Sequence, residues 1–168
     1  MADDAAADAT IARFLDAGGR LDLPAFLEIL APNVRLRSPI SFRARFEGFD
    51  EVAELLRIVF DLIDEIEYYE SLGSSTARAL FFKARLGDDT FDGAIHVLLD
   101  EHALVAEMTM FVRPLPGLTA LTARLTPRLT ARRGRVRALA LAAMVRPMAV
   151  LTSRADGLGV WLMQGRRR

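Results

Sequence analysis

The chain contains no cysteine. Disulfide scaffolds, cysteine nucleophiles and thiolate metal sites are thereby excluded. Histidine is scarce too, with two residues in 168, and separated histidines without cysteine partners form a weak metal pattern. No metal or cofactor is expected. Aromatic residues are 8% of the chain, with one tryptophan, Trp161. They do not interleave with a basic strand as in an RNA-binding sheet, and there is no glycine-rich phosphate loop, so nucleic acid is not an expected partner. No run of about 18 uncharged apolar residues occurs, so no membrane-spanning helix is expected. The acidic, alanine-rich segment Met1 to Thr10 lacks the basic and apolar regions of a secretion signal. The cytoplasm is the expected compartment.

Acidic residues almost vanish after residue 112. Residues 113–168 carry 12 arginines and one acid, Asp156, whereas residues 1–112 carry 10 basic and 21 acidic residues. A net charge of zero therefore hides −11 in the first part and +11 in the second. Such a split points to a basic tail with an acidic partner, most simply the chain's own acidic domain. An anionic membrane or nucleic acid are the sharper candidates, and the lack of an RNA-binding pattern disfavours the latter.

What is present is hydrophobic patterning. Hydrophobic residues make up 52% of the chain, enough for a core at this length. Ala5 to Gly18 reads as a helix with Ile11, Phe14 and Leu15 on one face and Gly18-Gly19 as its stop. Asp22 caps a second helix opening at Leu23-Pro24, since proline suits a first helical turn, and Pro32-Asn33 ends it. Val34 to Pro39 alternates as a half-buried strand, with Arg35 and Arg37 on its outer side. Phe42 to Phe49 reads as a loop. Asp50 caps a third helix through Ile63, and Ile66 to Glu70 has strand character. Three strands follow, Ala77 to Leu86, Thr90 to Leu99 and Leu104 to Arg113, separated by Gly87-Asp88-Asp89 and by Asp100 to Ala103. The order implies an α+β fold with helices on one face of a mostly antiparallel sheet.

Side-chain alternation gives a register. Pairing Gly87 with Thr90 sets Phe82 opposite Ile95 and Leu80 opposite Val97, with Arg85 opposite Asp92 outside. Pairing Leu99 with Leu104 sets Ile95 opposite Met108 and Gly93 opposite Met110, with His96 opposite Glu107 outside. Both hairpins sort apolar residues to one face, and a one-residue slip would mix the faces. His96 and Glu107 are expected as a cross-strand ion pair on the outer face, and His102 as a loop-tip residue. Arg78 is the one arginine with inward parity on these strands, with no inward aspartate beside it. The acidic cluster from Asp61 to Glu70 reads as a solvated face.

Three segments carry a family resemblance: Phe26 to Pro39 (FLEILAPNVRLRSP), Glu47 to Asp50 (EGFD), and the last hairpin ending at Val112-Arg113-Pro114. With the order of elements, they make residues 10–113 resemble the nuclear transport factor 2-like superfamily, in its SnoaL-like polyketide-cyclase and ketosteroid-isomerase-like branch. The resemblance implies a cone, a curved sheet wrapped around the N-terminal helices with a pocket at its open end. It implies that pocket lining falls to Phe14, Leu36, Ser38, Phe60, Phe82, Ile95, Met108 and Met110. Where the isomerases carry a general-base aspartate, before the proline ending the first strand, this chain has Ser38. Where they carry a hydroxyl donor on the first helix it has Phe14, and the second donor position falls near Ile95, which the register favours, or one residue out at His96. A serine hydroxyl is far too weak a base to take a carbon-bound proton unaided, so no catalytic set is assigned. The expected function is binding of a small apolar molecule. The alternatives are an isomerase, cyclase or hydrolase of the SnoaL-like type, and an interaction module that dimerises through its sheet and touches a membrane surface through its tail.

The tail lies outside the resemblance. Leu118, Leu121, Leu125 and Leu129 recur at helical spacing with Arg124, Arg128 and Arg132 elsewhere on the wheel, dented at Pro127. Val136 to Leu151 reads as a second helix, and Leu158 to Met163 as a short apolar end before Arg166 to Arg168. The expected organisation is a cone domain over residues 1–116 and a basic amphipathic helical extension over 117–168. That extension would cover its apolar faces on its own domain, in a homodimer or on a membrane surface.

Overall fold

Apolar residues three and four apart from Ala7 onward give the first helix its buried stripe: Ala7, Thr10, Ile11, Phe14, Ala17 and Gly18. In the computed structural model, which describes residues 4–41 and 45–130, this helix α1 runs Asp4–Gly19. It ends at Gly19, within the expected glycine stop, but neither glycine of that pair takes the left-handed conformation. Leu21, not a glycine, takes the left-handed conformation (φ 54°), and Asp22 N–H closes the turn on the Ala17 carbonyl at 2.8 Å. Asp22 then caps α2 (Leu23–Leu27), its carboxylate accepting from Ala25 N–H, with Pro24 in the first turn.

The chain divides into two units, residues 1–112 and 113–168. In the first, six strands form one sheet in the order β2-β1-β6-β5-β4-β3: β1 (Leu30–Arg37), β2 (Arg45–Glu47), β3 (Glu65–Gly73), β4 (Ala77–Leu86), β5 (Asp89–Leu99) and β6 (Val105–Arg113). The β1–β2, β3–β4 and β4–β5 pairs are antiparallel, and β1 runs parallel to β6. The helix α3 (Phe49–Leu62) lies between β2 and β3 in sequence. It buries Val52, Ala53, Leu55, Leu56 and Leu62. The α+β class, the N-terminal helices and the curved, mostly antiparallel sheet are as expected.

Several local expectations are corrected. β1 begins at Leu30, four residues early, because Leu30 pairs with Val105 and the strand then bulges before Arg35 pairs with Glu107. Pro32 and Asn33 sit exposed in that irregular stretch, where a missing N–H costs no ladder bond. The segment read as a loop contains β2, paired with β1 through Leu36 and Phe46. The cap of α3 is Gly48 (φ 87°), not Asp50. Glu51 accepts from Glu47 N–H at 2.9 Å, and Asp50 and Glu51 place negative charge in the first turn, where the helix dipole favours it.

The β4–β5 register is two residues from the one expected. Leu86 pairs with Asp89 across Gly87-Asp88, so Leu80 faces Ile95, Phe82 faces Gly93, Lys83 faces Asp92 and Arg85 faces Thr90. Of the two turn residues, Gly87 has the positive φ (65°), as a two-residue turn with glycine first requires. A slip of two leaves every side chain on its expected face. Leu80, Phe82, Ile95 and Met108 are buried, while Arg35, Lys83 and Arg85 are exposed or open to solvent on the outer face.

On that outer face Glu107 does not pair with His96. It is buried and takes Arg37 Nε at 2.8 Å and Arg35 Nη2 at 3.3 Å. The parallel pairing brings both arginines of β1 to the carboxylate, and a guanidinium is a better partner than imidazole for an acid held out of water. His96 lies opposite Ala79, exposed, with no ion pair among the described residues.

The second unit is described through α4 (Leu115–Thr130). Thr119 and Thr122 donate their hydroxyls to the Pro116 and Leu118 carbonyls. Leu121 and Leu125 are buried, and Arg124 and Arg128 are exposed, which is the amphipathic division read from the sequence. The second tail helix expected from Val136 to Leu151, and Trp161, lie outside the described residues. Among the described residues no helix is long and apolar enough to cross a membrane.

Candidate functional site

The inner face of the sheet is built by alternation: Tyr68 on β3, Leu80 and Phe82 on β4, Phe91, Ile95 and Val97 on β5, and Met108 on β6. The helices bring further rings to it. Phe14 meets Phe26 edge-on with centroids 4.6 Å apart, and Phe26 meets Phe60 at 5.3 Å. Phe14 also meets Tyr68 at 6.0 Å, and Phe82 meets Tyr68 and Phe91, each at 6.3 Å. Edge-to-face packing of this kind aligns ring edges with ring faces and stabilises a core beyond its area.

The eight residues expected to line a pocket divide into two groups. Phe14, Leu36, Phe82, Ile95 and Met108 are buried. Ser38, Phe60 and Met110 are partly exposed. Phe14 and Phe60 are joined through Phe26, which touches both rings. Leu36 and Met108 are cross-strand partners. Ser38 lies just past the end of β1, and its Oγ accepts from Ile40 N–H at 3.2 Å. Its acceptor capacity is thus directed to local backbone, and its proton remains free to donate.

Two polar groups of the inner face were missed or misjudged from sequence. Tyr68 is the first. Its hydroxyl makes no hydrogen bond among the described residues, and burial pushes its phenol well above the usual tyrosine range. The group therefore stays protonated, a donor set in apolar surroundings. Its position requires Gly18: a Cβ there would lie 2.7 Å from the Tyr68 oxygen and 3.0 Å from Cε2. The glycine read as a helix stop is a point of close approach. The usable signal was the alternation of Ile66 and Tyr68 with Glu65 and Glu67. Arg78 is the second. It does have an aspartate, because Asp8 on α1 reaches its Nη2. Among the described residues no cluster of potential metal ligands occurs.

The Gly18–Tyr68 contact predicts a coupled pair of substitutions. Gly18→Ala is expected to cost ~1–3 kcal/mol by overpacking. Tyr68→Phe removes the clashing oxygen and should return part of that loss, since Cε2 at 3.0 Å and Cζ at 3.2 Å remain. Urea denaturation of the two single variants and the double variant measures the coupling. Equal costs of Gly18→Ala in both backgrounds would remove the contact as the cause.

This arrangement of helices and sheet matches solved structures. A steroid delta-isomerase from Pseudomonas aeruginosa is 28% identical, with a TM-score of 0.69, over 76% of this chain and 94% of that one. An uncharacterised bacterial protein with a cystatin-like fold from Silicibacter pomeroyi is 26% identical, with a TM-score of 0.68, over 72% and 85% of the two chains. The fold is that of the nuclear transport factor 2-like superfamily. A SnoaL-like protein of unknown function from Burkholderia thailandensis shares it at 16% identity, with a TM-score of 0.56, over 67% of this chain and 98% of that one. No family model matches the sequence, and no curated protein matches it significantly. The three positions that the sequence resemblance ties to isomerase chemistry are Ser38, Phe14 and Ile95. Phe14 and Ile95 are core residues, and the ring of Tyr68 lies 6.0 Å from that of Phe14, centroid to centroid.

Proposed function

We propose that the domain binds a small apolar molecule between its helices and the inner face of its sheet. The observation that carries this reading is the aromatic set Phe14, Phe26, Phe60, Tyr68 and Phe82, whose rings pass from buried at Phe14, Phe26 and Phe82 to partly exposed at Phe60 and Tyr68. Phe60 with Met110 and Ser38 would form the rim. Methionine is unbranched and polarisable and adapts to varied apolar shapes, while Ser38 and Tyr68 offer donors that orient a carbonyl or hydroxyl. Protein NMR during titration with 1-decanol tests the reading. Shifts are expected at Phe60, Met108 and Met110, and shifts confined to the outer sheet face would sink it. Ser38→Ala is expected to weaken such binding by no more than ~1.5 kcal/mol, the net worth of one neutral hydrogen bond. Isothermal titration calorimetry of the variant checks this.

A second reading, catalysis of double-bond isomerisation, draws on the likeness to the steroid delta-isomerase. It would use Tyr68 as the hydroxyl donor. On the described strands the ionisable residues of inward parity are Tyr68, Arg78 and Asp89, the last half-buried at the start of β5 opposite Leu86, so Asp89 is the one strand carboxylate this reading could use as a base. Turnover of an unsaturated steroid ketone that disappears in Tyr68→Phe would favour this reading over plain binding.

A further inference from the structure

Arg78 stands apart from the other ion-paired strand arginines. Arg35, Arg37 and Arg85 lie on the outer face with side chains 57%, 55% and 45% exposed. Arg78 points to the inner face, and its side chain is 19% exposed. Its cross-strand neighbours are Gly73 on β3 and Val97 on β5, neither of which has a side-chain acceptor. Its one carboxylate, Asp8, reaches Nη2 with a single oxygen. Nε is buried and has no hydrogen-bond partner among the described residues.

A guanidinium presents Nε and Nη2 as a parallel fork that matches the two oxygens of a carboxylate. Here the fork is half filled. Leaving a buried donor unsatisfied is costly, and such groups call for an explanation in function. Asp8 is 67% exposed, so its carboxylate can return to water with little loss, as exposed ion-pair partners do. An incoming carboxylate can engage both nitrogens, where Asp8 engages one.

We propose that Arg78 is the anion-recognising residue of the inner face, and that the molecule bound there is an apolar acid whose carboxylate displaces Asp8 and occupies Nε and Nη2 together. This deepens the ligand-binding reading above and rests on it. It assigns the ligand a polar end, the carboxylate at Arg78, and an apolar body running toward the rings. Arg78 and Phe82 are four residues apart on β4, roughly 13 Å along the strand, a span that suits a medium-chain fatty acid or an acidic isoprenoid.

The test uses the full chain and two probes of equal length, decanoate and 1-decanol. Both are titrated calorimetrically into wild type, Arg78→Lys and Asp8→Asn at mildly alkaline pH, where the acid is ionised. Wild type is expected to bind decanoate at least ~tenfold tighter than decanol. Arg78→Lys keeps the charge and loses the fork, so decanoate should weaken ~tenfold while decanol stays within ~twofold. Asp8→Asn removes the competing carboxylate, so decanoate should tighten ~threefold and decanol should not change. Equal wild-type affinity for the two probes, or a loss in Arg78→Lys shared by both, overturns the proposal. Binding of decanol without preference for decanoate keeps the ligand-binding reading and removes this one; failure of both probes removes both. Should Arg78→Lys not fold, Asp8→Asn decides, and unchanged or weaker decanoate binding there overturns the proposal.

Discussion

Gly93→Ala is expected to cost more than ~4 kcal/mol, a loss confined to a few severe mechanisms and comparable to the whole stability of many domains. Gly93 lies opposite Phe82 on β4. A Cβ placed on it would sit 2.0 Å from the Phe111 carbonyl oxygen, 3.1 Å from that carbonyl carbon and 3.1 Å from Phe82 Cζ. A flexible side-chain tip can move aside, but two of these three atoms are backbone of the adjacent strand. Relief requires β5 and β6 to separate, and with them the middle of the sheet. Glycine within a strand marks such a close approach. The control is Gly19→Ala at the end of α1, where nothing lies within 4 Å of the added carbon. That substitution should be neutral or stabilising by up to ~1 kcal/mol, through a less flexible unfolded chain. Urea denaturation of both variants gives the comparison. If Gly93→Ala unfolds within ~1 kcal/mol of wild type, the strands do not approach this closely in solution.

The faces of the sheet were legible because alternation has a period of two and burial enforces it. The pairing of individual residues was not, because a two-residue slip satisfies the same alternation. The turn decided between them: Gly87 as first turn residue (φ 65°) closes Leu86 onto Asp89, and the sequence Gly87-Asp88-Asp89 permits either choice. β1 shows a related limit. Pro32-Asn33 looks like a terminator, and within a ladder it becomes a bulge that the strand crosses, because Leu30 finds Val105. β2 was too short to carry a period, and it exists through its partner Leu36.

At the candidate site the apolar residues were legible and the polar ones were not. Phe82, Ile95 and Met108 follow from alternation alone. Asp8 and Arg78 are 70 residues apart, and no periodicity within one element connects a helix to a strand at that separation. The Gly18–Tyr68 contact is hidden for the same reason, and Gly18 carried a competing local meaning as a helix stop. Glu107 shows how a local rule loses to a tertiary one. A neighbouring-strand histidine was the simple partner, but the parallel pairing of β1 with β6 delivered two arginines.

Phe14→Ala separates core from ligand-lining residues, and it is expected to cost ~3–5 kcal/mol, as for a phenylalanine truncated in a tightly packed interior. Phe14 is completely buried, in edge-on contact with Phe26 at 4.6 Å and Tyr68 at 6.0 Å. Removing its ring leaves Phe26 and Tyr68 without the atoms that fix them, and rigid neighbours on two elements relax only in part. The space left should be apolar and dry, and small aromatic probes such as benzene should enter it. Phe60 offers the contrast. It joins the same set through Phe26 but is partly exposed, so Phe60→Ala should cost less, ~1–2 kcal/mol. Ligand affinity should reverse the order: decanol binding should fall more in Phe60→Ala, at the rim, than in Phe14→Ala, where the lost ring is core. Denaturation and calorimetry on both variants supply the four numbers. A Phe14→Ala protein close to wild-type stability but unable to bind decanol would make Phe14 part of the ligand's surroundings and move the boundary of the core to Phe26 and Val52.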